Sequence, residues 1–321
     1  MPLLSRIRAP SLGGGAEPRA AGRARDLQRT EGGPVRIPAA PGTGILPTCA
    51  NPHCRSGWLH LWRGRTAPIF EGGWCCSAAC TAARVQAALG RELDARGVAG
   101  EGHRHRIPLG LAMLEQGWIK QSDLRAALAA QRAAGTGRVG QWLVRNGSVT
   151  EELVTRALGL QWGCPVLGME FETPEGLAAL VPRLFVDAFG ALPLRVAAGR
   201  ILYLGFEERL DPALALAVER VTGLRVESGL VQESLFGPAH ARMLKARFPA
   251  VELIEAATEQ ALAMAVARAI ERTRPIEARL ARVHECLWLR MWMGPQDGPL
   301  PAIGAIRDLI GSAGAHLDRS S

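Results

Sequence analysis

Apolar residues recur every three or four positions between residues 108 and 161, and the whole pattern occurs twice. One copy runs from Pro108 to Gln131 and the other from Arg138 to Gln161. Each copy has a glycine at its third position, an apolar residue three later, a second glycine seven later and a closing glutamine. Agreement at so many fixed positions indicates an internal repeat. We therefore predict two helical hairpins, each with a short helix, a turn at the second glycine and a longer helix.

The residues that open the longer helices support this assignment. Ser122 and Thr150 stand where an N-cap is expected. Asp123 and Glu151 follow in the first turn, near the positive end of the helix dipole. Because two such hairpins can bury their apolar stripes against each other, the prediction is a small pseudo-symmetric helical module.

The spacing of apolar residues changes from helical to alternating after the repeat. Residues 192–204 have the pattern of a β-hairpin with an Ala-Ala-Gly turn. Asp211 precedes a proline and predicts the N-cap of a helix that ends at Gly223. A further strand and a helix from Gln232 to Leu244 complete the pattern, which predicts a small α/β unit beside the repeat.

The last segment, residues 250–321, has no pattern that assigns it a role. We predict a helix over residues 251–273, ended by Pro275, and a single strand over residues 279–293. One side of that strand carries arginine and tryptophan residues, namely Arg282, Trp288, Arg290 and Trp292. Such a side can stack nucleic-acid bases or contact a partner, and it can equally be covered by another element.

Five of the seven cysteines lie between residues 49 and 80. Cys49 and Cys54 form one closely spaced pair, and Cys76 and Cys80 form another, which is the arrangement that a tetrahedral zinc site needs. Cys76 is preferred to its neighbour Cys75 because it gives the tighter loop. The spacing predicts a structural zinc module, treble-clef-like or ribbon-like, over residues 47–97. The alternative is a group of reduced thiols or a redox pair.

Charge and composition add little to this description. The chain has a net charge of +8, and residues 1–46, rich in Gly, Pro, Ala and Arg, contribute seven arginines against three acidic residues. We expect that tail to be disordered, and it is either an arm for anionic partners or an inert solvated tail. The sequence has no apolar run of 18 residues and no secretory signal, so a cytoplasmic protein is expected.

The two copies resemble the repeated motif R-L-G-x-x-L-x-x-x-G-x6-L-x-x-x-L-x-x-Q of the MshEN domain. This is the N-terminal domain of bacterial type II secretion and type IV pilus assembly ATPases of the GspE type. The resemblance continues through the segments CPVL, ALPLRV and LDPALALAVERVTGLRVE to about Leu244. It implies an MshEN-like domain over residues 106–246, cyclic-di-GMP as ligand, and secretion or pilus assembly proteins as partners.

The resemblance also implies that cyclic-di-GMP, itself two-fold symmetric, lies across the two copies. Arg138 is expected to make a paired contact to a guanine edge or a phosphate. The family's opening arginine is Pro108 in the first copy, so one half of the site should be weaker. The residues expected at the ligand are Leu109, Gly110, Met113, Gly117, Gln131, Arg138, Val139, Gly140, Leu143, Gly147 and Gln161.

The sequence lacks the motif that a nucleotide-hydrolysing motor needs. Its two lysines are Lys120 and Lys245, and neither follows a glycine, so no phosphate-binding GxxxxGK[ST] loop is present. The prediction is an α+β protein without the ATPase domain: a non-catalytic regulatory protein that senses cyclic-di-GMP. The alternatives are a structural adaptor that docks to a secretion or pilus platform, and a zinc-dependent nucleic-acid binder. Nucleic acid is the weaker choice because the folded part carries only about half of the positive charge.

Overall fold

The computed structural model describes residues 48–55, 68–94, 107–168, 174–295, 298 and 300–313, and these form a mixed α+β fold. The described helices are α1 (Ala78–Asp94), α2 (Leu109–Glu115), α3 (Gln121–Ala134), α4 (Val139–Arg145), α5 (Glu151–Trp162), α6 (Pro174–Ala178), α7 (Arg183–Ala188), α8 (Pro212–Thr222), α9 (Glu233–Met243) and α10 (Glu259–Thr273). The described strands are β1 (Ile69–Phe70), β2 (Gly73–Trp74), β3 (Ala191–Ala197), β4 (Ile201–Phe206), β5 (Arg225–Leu230), β6 (Ala250–Ala256), β7 (Glu277–Val283), β8 (Cys286–Trp292) and β9 (Ile306–Ala313). None of these ten described helices is long and apolar enough to cross a membrane.

Helices α2 and α4 end in the same way. Gly117 and Gly147 adopt left-handed backbone angles, with φ of 69° and 71°. In each case the residue after the glycine donates its N–H to a carbonyl in the last turn of the helix, at an N–O distance of 3.0 Å. This is the Schellman arrangement, which satisfies carbonyls that would otherwise have no partner. The two turns therefore use the same backbone chemistry at positions thirty residues apart.

The longer helices α3 and α5 begin differently from each other. The Thr150 hydroxyl caps α5 and accepts the N–H of Leu153 at 3.4 Å, as predicted. The predicted cap Ser122 of α3 is wrong, because that helix starts earlier and its N-cap is Lys120. Lys120 occupies the position equivalent to Thr150, and its backbone N–H donates to Asp123 Oδ2 at 2.8 Å. The acidic side chain thus supports the helix start without a capping hydroxyl.

Alanine at either left-handed glycine is expected to destabilise the fold. We predict that Gly117→Ala and Gly147→Ala each lower the free energy of unfolding by about 1–2 kcal/mol, since a Cβ is strained at positive φ. Gly90→Ala, in the middle of α1 with open space around it, is the matched control and should raise stability by about 0.5–1 kcal/mol. Urea unfolding of the three variants measures these differences. Equal effects at all three positions would contradict the assignment of the turns.

The α/β unit contains a three-stranded sheet in the order β3-β4-β5. Strands β3 and β4 form the predicted antiparallel hairpin, and β5 returns parallel to β4 after helix α8. Asp211 caps α8 by accepting the N–H of Leu214 at 2.8 Å, and Gly223 ends it with a φ of 75°. The predicted hairpin, helix α8 and helix α9 are confirmed.

The C-terminal segment forms a second sheet, in the order β6-β9-β8-β7. The predicted helix over residues 251–273 is wrong in its first part, because Ala250–Ala256 is strand β6. The helix begins only after Thr258, whose hydroxyl accepts the N–H of Ala261 at 3.1 Å. Strand β6 pairs with β9, and the Thr258 cap starts helix α10 after it.

The predicted single strand over residues 279–293 is also wrong, because it is a hairpin of β7 and β8. The chain reverses at His284, which has a φ of 52°, and Val283 pairs with Cys286. Paired residues of a hairpin lie on the same face of the sheet, so Cys286 lies on the same face as Val283. The residues of β8 therefore lie on the faces opposite to those predicted for a single strand. Trp288 and Arg290 are buried, and the arginine and tryptophan side is covered rather than free to stack bases.

The C-terminal sheet lies between two hydrophobic layers. One face carries residues such as Trp288 and Ile310, which belong to the same core as the α/β unit. The other face packs against α1 and α10, where Val85 and Leu89 share a core with Val266. The segments predicted as a cysteine module at 47–97 and as a separate C-terminal piece at 250–321 therefore share one core over their described residues.

Candidate ligand cavity and candidate metal centre

A cavity of about 600 Å³ opens between the paired helices and the α/β unit. It lies among helices α2, α4 and α5, the loop that follows β4, and the start of α9. Its lining residues are Leu109, Arg138, Val139, Gly140, Gln141, Val144, Arg145, Glu151, Val154, Thr155, Leu158, Gln161, Trp162, Glu207, Glu208, Arg209, Glu233 and Ser234. Its volume is in the range that holds a small-molecule ligand.

The structure brings only some of the predicted ligand residues to this cavity. Those that line it are Leu109, Arg138, Val139, Gly140 and Gln161. Those that do not line it are Gly110, Met113, Gly117, Gln131, Leu143 and Gly147. Met113 and Leu143 are fully buried in the core between the four helices, so their side chains pack against protein.

Gly110 and Gly140 permit close packing of neighbouring helices. A Cβ at Gly110 would lie 2.5 Å from Leu124 Cδ1, and one at Gly140 would lie 2.8 Å from Val154 Cγ1. Both distances are shorter than a carbon–carbon contact, which is near 3.5–4.0 Å. The side chains of Leu124 and Val154, at equivalent positions of the two copies, therefore explain both glycines without a ligand.

Gln131 and Gln161 make reciprocal contacts to the backbone. Gln131 Nε2 donates to the carbonyl of Gly137 at 2.7 Å, just before the second copy. Gln161 Nε2 donates to the carbonyl of Ile107 at 2.6 Å, just before the first copy. Each closing glutamine thus fixes the start of the other copy, and Gln161 does so at the wall of the cavity.

Arg138, at the N-cap of α4, is surrounded by carboxylates. Its guanidinium forms an ion pair with Glu208 and lies 3.6 Å from Glu207 Oε1 and 3.6 Å from Glu233 Oε2. Gln141, on the next turn, donates its side-chain amide to Glu233 Oε1 at 2.8 Å. The side chain expected to contact an anionic ligand therefore already has anionic partners within the protein.

The cavity is lined by nearly equal numbers of positive and negative side chains. The positive ones are Arg138, Arg145 and Arg209, and the negative ones are Glu151, Glu207, Glu208 and Glu233. The acidic residues come from both the helical pairs and the α/β unit, so no local sequence motif identifies them. Only the folding of the α/β unit over α4 reveals that they share a cavity with Arg138.

Four cysteines form a separate cluster in the described part of the chain. The Sγ atoms of Cys49, Cys54, Cys76 and Cys80 all lie within 4.8 Å of one another, so they can hold a metal ion. Cys76 Sγ is 3.5 Å from Cys54 Sγ and 3.6 Å from Cys80 Sγ. Four sulfurs around one zinc ion at 2.3 Å would be about 3.8 Å apart, so the donor set fits a tetrahedral thiolate site.

Local hydrogen bonds orient this cluster. The backbone N–H of Cys76 donates to Cys49 Sγ at 3.4 Å, and the Asn51 side-chain amide donates to Cys80 Sγ at 3.4 Å. The hydroxyl of Ser77 accepts the N–H of Cys80 at 3.3 Å, and Cys80 lies in the first turn of α1. Such donors stabilise thiolates and orient metal ligands.

Burial raises the pKa of both adjacent cysteines, Cys75 and Cys76, but only Cys76 belongs to the four-sulfur cluster. Burial, with hydrogen bonding to Cys54, raises the pKa of Cys76 to about 12, so without a cation its thiol is protonated at neutral pH. Burial raises the pKa of Cys75 to about 11. Cys75 lies outside the four-sulfur group, which agrees with the choice made from the loop length.

Comparison with known proteins gives partial matches. No family model matches the chain. Similar solved structures include MshE with cdg, at a TM-score of 0.32 and 23% identity, covering 43% of this chain and 99% of that chain. The N-terminal domain of XpsE has a TM-score of 0.28 and 23% identity, covering 42% of this chain and 92% of that one.

The chain is also similar in sequence to a protein of known function. The type IV pilus assembly ATPase PilB of Thermus thermophilus is 33% identical over 144 residues, which is 44% of this chain but only 16% of the relative. The similarity therefore spans only a short part of that protein's length. For this part, the predicted relationship to the GspE/MshE N-terminal domain family is confirmed.

Proposed function

We propose that the chain is a non-catalytic regulatory protein linked to type II secretion or type IV pilus systems, and that its cavity binds cyclic-di-GMP. The observation that carries the proposal is that Arg138 lines one cavity together with residues of both copies and with apolar side chains. The kinship with a pilus assembly ATPase agrees with it, and MshE has been solved with cdg. Secretion or pilus assembly proteins are the proposed partners.

The lining of the cavity fits the parts of such a ligand. Apolar side chains of Val139, Leu158 and Trp162 offer contacts for base and ribose. Arg138 and Arg145 supply planar guanidinium groups, which match a phosphate or a guanine edge. The side chain of Arg138 is 43% exposed, so a ligand can reach it from the solvent. Because position 108 is proline, only one copy contributes this arginine.

Removal of Arg138 is the direct mutational test of the ligand. Arg138→Ala should weaken cyclic-di-GMP binding at least ten-fold, since a charged hydrogen bond contributes about 1.5–3 kcal/mol. Calorimetric titration measures this, with ATP and GTP as ligand controls. Arg132→Ala, which changes an exposed arginine at the end of α3, is the matched variant and should bind as the wild type does. Equal binding by both variants would contradict the role of Arg138.

The four-cysteine cluster supports a second part of the proposal. We propose that it binds one structural zinc ion, because the four donors are all thiols at tetrahedral spacing. Four cysteine ligands leave no open position for a substrate, which suits a structural site rather than a catalytic one. The ion would then fix β1, β2 and the start of α1 against the C-terminal sheet.

A further inference from the structure

The surroundings of Arg138 include a feature that the ligand proposal does not use. Two of its acidic partners, Glu207 and Glu208, directly follow strand β4, and the third, Glu233, is the first residue of α9. All three belong to the α/β unit, whereas Arg138 belongs to the second helical copy. The contact therefore joins two parts of the protein across the cavity.

These carboxylates surround the same guanidinium that an anionic ligand would need. A guanidinium presents its N–H groups in a fixed planar fork, and carboxylate and phosphate oxygens fit that fork alike. An anionic ligand at Arg138 therefore competes with these carboxylates for the guanidinium. A phosphate that contacts Nη1 of Arg138 must displace Glu208, whose carboxylate pairs with that nitrogen.

Displacement is physically feasible because two of the three acidic side chains are half exposed. Glu208 and Glu233 have 48% and 49% of their side chains exposed, so they can rotate into water and keep their charge solvated. Surface ion pairs of this kind are weak, and a charge-assisted contact to a phosphate can be stronger. Gln141 holds Glu233 in place by donating to both of its oxygens, at 2.8 and 3.2 Å.

We infer that Glu207, Glu208 and Glu233 form an internal competitor that occupies Arg138 in the ligand-free protein and reduces its affinity for an anionic ligand. This inference rests on the proposed function. It adds regulation of that site: the affinity is determined by an exchange of carboxylates for phosphate, in a cavity where acidic residues outnumber arginines by four to three. Since the first copy has Pro108 in place of arginine, the competitor controls the only opening arginine of the repeat.

The experiment compares titrations of cyclic-di-GMP into five proteins. These are the wild type, Arg138→Ala, the variant with Glu207→Gln and Glu208→Gln together, the same variant with Arg138→Ala added, and Glu255→Gln. Glutamine keeps the size of the side chain and removes its charge. Glu255 is an exposed acidic residue on β6, outside the cavity, and serves as the matched control.

Removal of both charges should tighten binding about three- to ten-fold, as expected for the loss of two exposed ion pairs, while Glu255→Gln binds as the wild type does. The gain should disappear when Arg138 is alanine, because the competitor then has nothing to occupy. In another outcome, the wild type shows no binding while the variant without the two charges does bind. That result would support the inference too, since the competitor then blocks the site in the wild type.

Two results would overturn the inference and leave the proposed function in place. One is a wild type that binds cyclic-di-GMP as tightly as the charge-removed variant, or more tightly. The other is a gain of the same size with Arg138 absent, which would reflect general repulsion rather than competition. If neither the wild type nor the charge-removed variant binds, the inference and the proposed function fail together.

Discussion

Replacing Asp308 with alanine should reduce the free energy of unfolding by about 3–5 kcal/mol. Asp308 lies on β9 and is fully buried together with Arg290 on β8, its partner across the sheet. Arg290 donates to both carboxylate oxygens at 2.8 Å, from Nε and from Nη2. Without the carboxylate, a buried guanidinium charge would remain uncompensated. Urea or thermal unfolding of the variant measures the loss.

The remaining donors of this network explain why the effect should be large. Arg290 Nη1 donates to the carbonyl of Leu180 at 2.8 Å, and Trp288 Nε1 donates to Asp308 Oδ1 at 2.9 Å. The pair thereby links the C-terminal sheet to the segment after α6. Loss of Asp308 removes acceptors from the guanidinium and the indole at once, and unpaired buried donors are costly.

Two further variants separate the buried pair from a general effect of charge. Arg307→Ala, beside Asp308 but exposed, should change stability by less than about 0.5 kcal/mol. Removing both charges together, as Arg290→Met with Asp308→Leu, should cost less than Asp308→Ala alone, since no lone charge remains buried. An Asp308→Ala variant as stable as Arg307→Ala would contradict the network.

Replacing Cys76 with alanine should abolish stoichiometric zinc binding, whereas replacing its neighbour Cys75 should not. Both are buried cysteines on the same loop, but only Cys76 belongs to the four-sulfur group. In small modules the binding energy of a structural zinc ion is also folding energy. The Cys76 variant should therefore lose order from residue 49 into α1. Metal analysis of protein purified without chelators, together with hydrogen exchange, measures both effects.

Loss of the metal should also affect the elements that share a hydrophobic core with α1. Helix α1 packs on α10 and the C-terminal sheet, so we expect faster exchange in α10 as well as around the cysteines. The helices of the repeat do not belong to that core and should keep their protection. Zinc retained by the Cys76 variant and lost by the Cys75 variant would contradict the ligand assignment. Absence of zinc from the wild type would contradict the metal site itself.

Local features are predictable from the sequence where one or two neighbouring residues determine them. The caps at Thr150 and Asp211 depend on a hydroxyl or carboxylate three residues from a free N–H, and both are present. The four clustered sulfurs follow from two short loops, because each loop brings its own pair of cysteines together. The start of α3 differs from the prediction because the helix begins earlier, after the N-cap Lys120, whose N–H donates to Asp123 in the first turn.

Predictions failed where the answer depended on distant parts of the chain. His284 is not a typical turn residue, so nothing local indicated that the chain reverses there, and the faces of β8 were inverted as a result. The Arg290–Asp308 pair joins two strands that are adjacent only in the folded sheet. The acidic residues around Arg138 likewise reach it only through the packing of the α/β unit.

Hydrogen exchange with and without cyclic-di-GMP tests the central claim, that this cavity is the ligand site, most directly. At saturating ligand, we predict slower exchange in peptides that cover residues 138–145, 154–162, 207–209 and 233–234, which line the cavity. Helix α1, beside the cysteine cluster, should be unchanged and provides the internal control. Unchanged exchange in all four cavity segments, or protection confined to segments outside them, would contradict the proposed site.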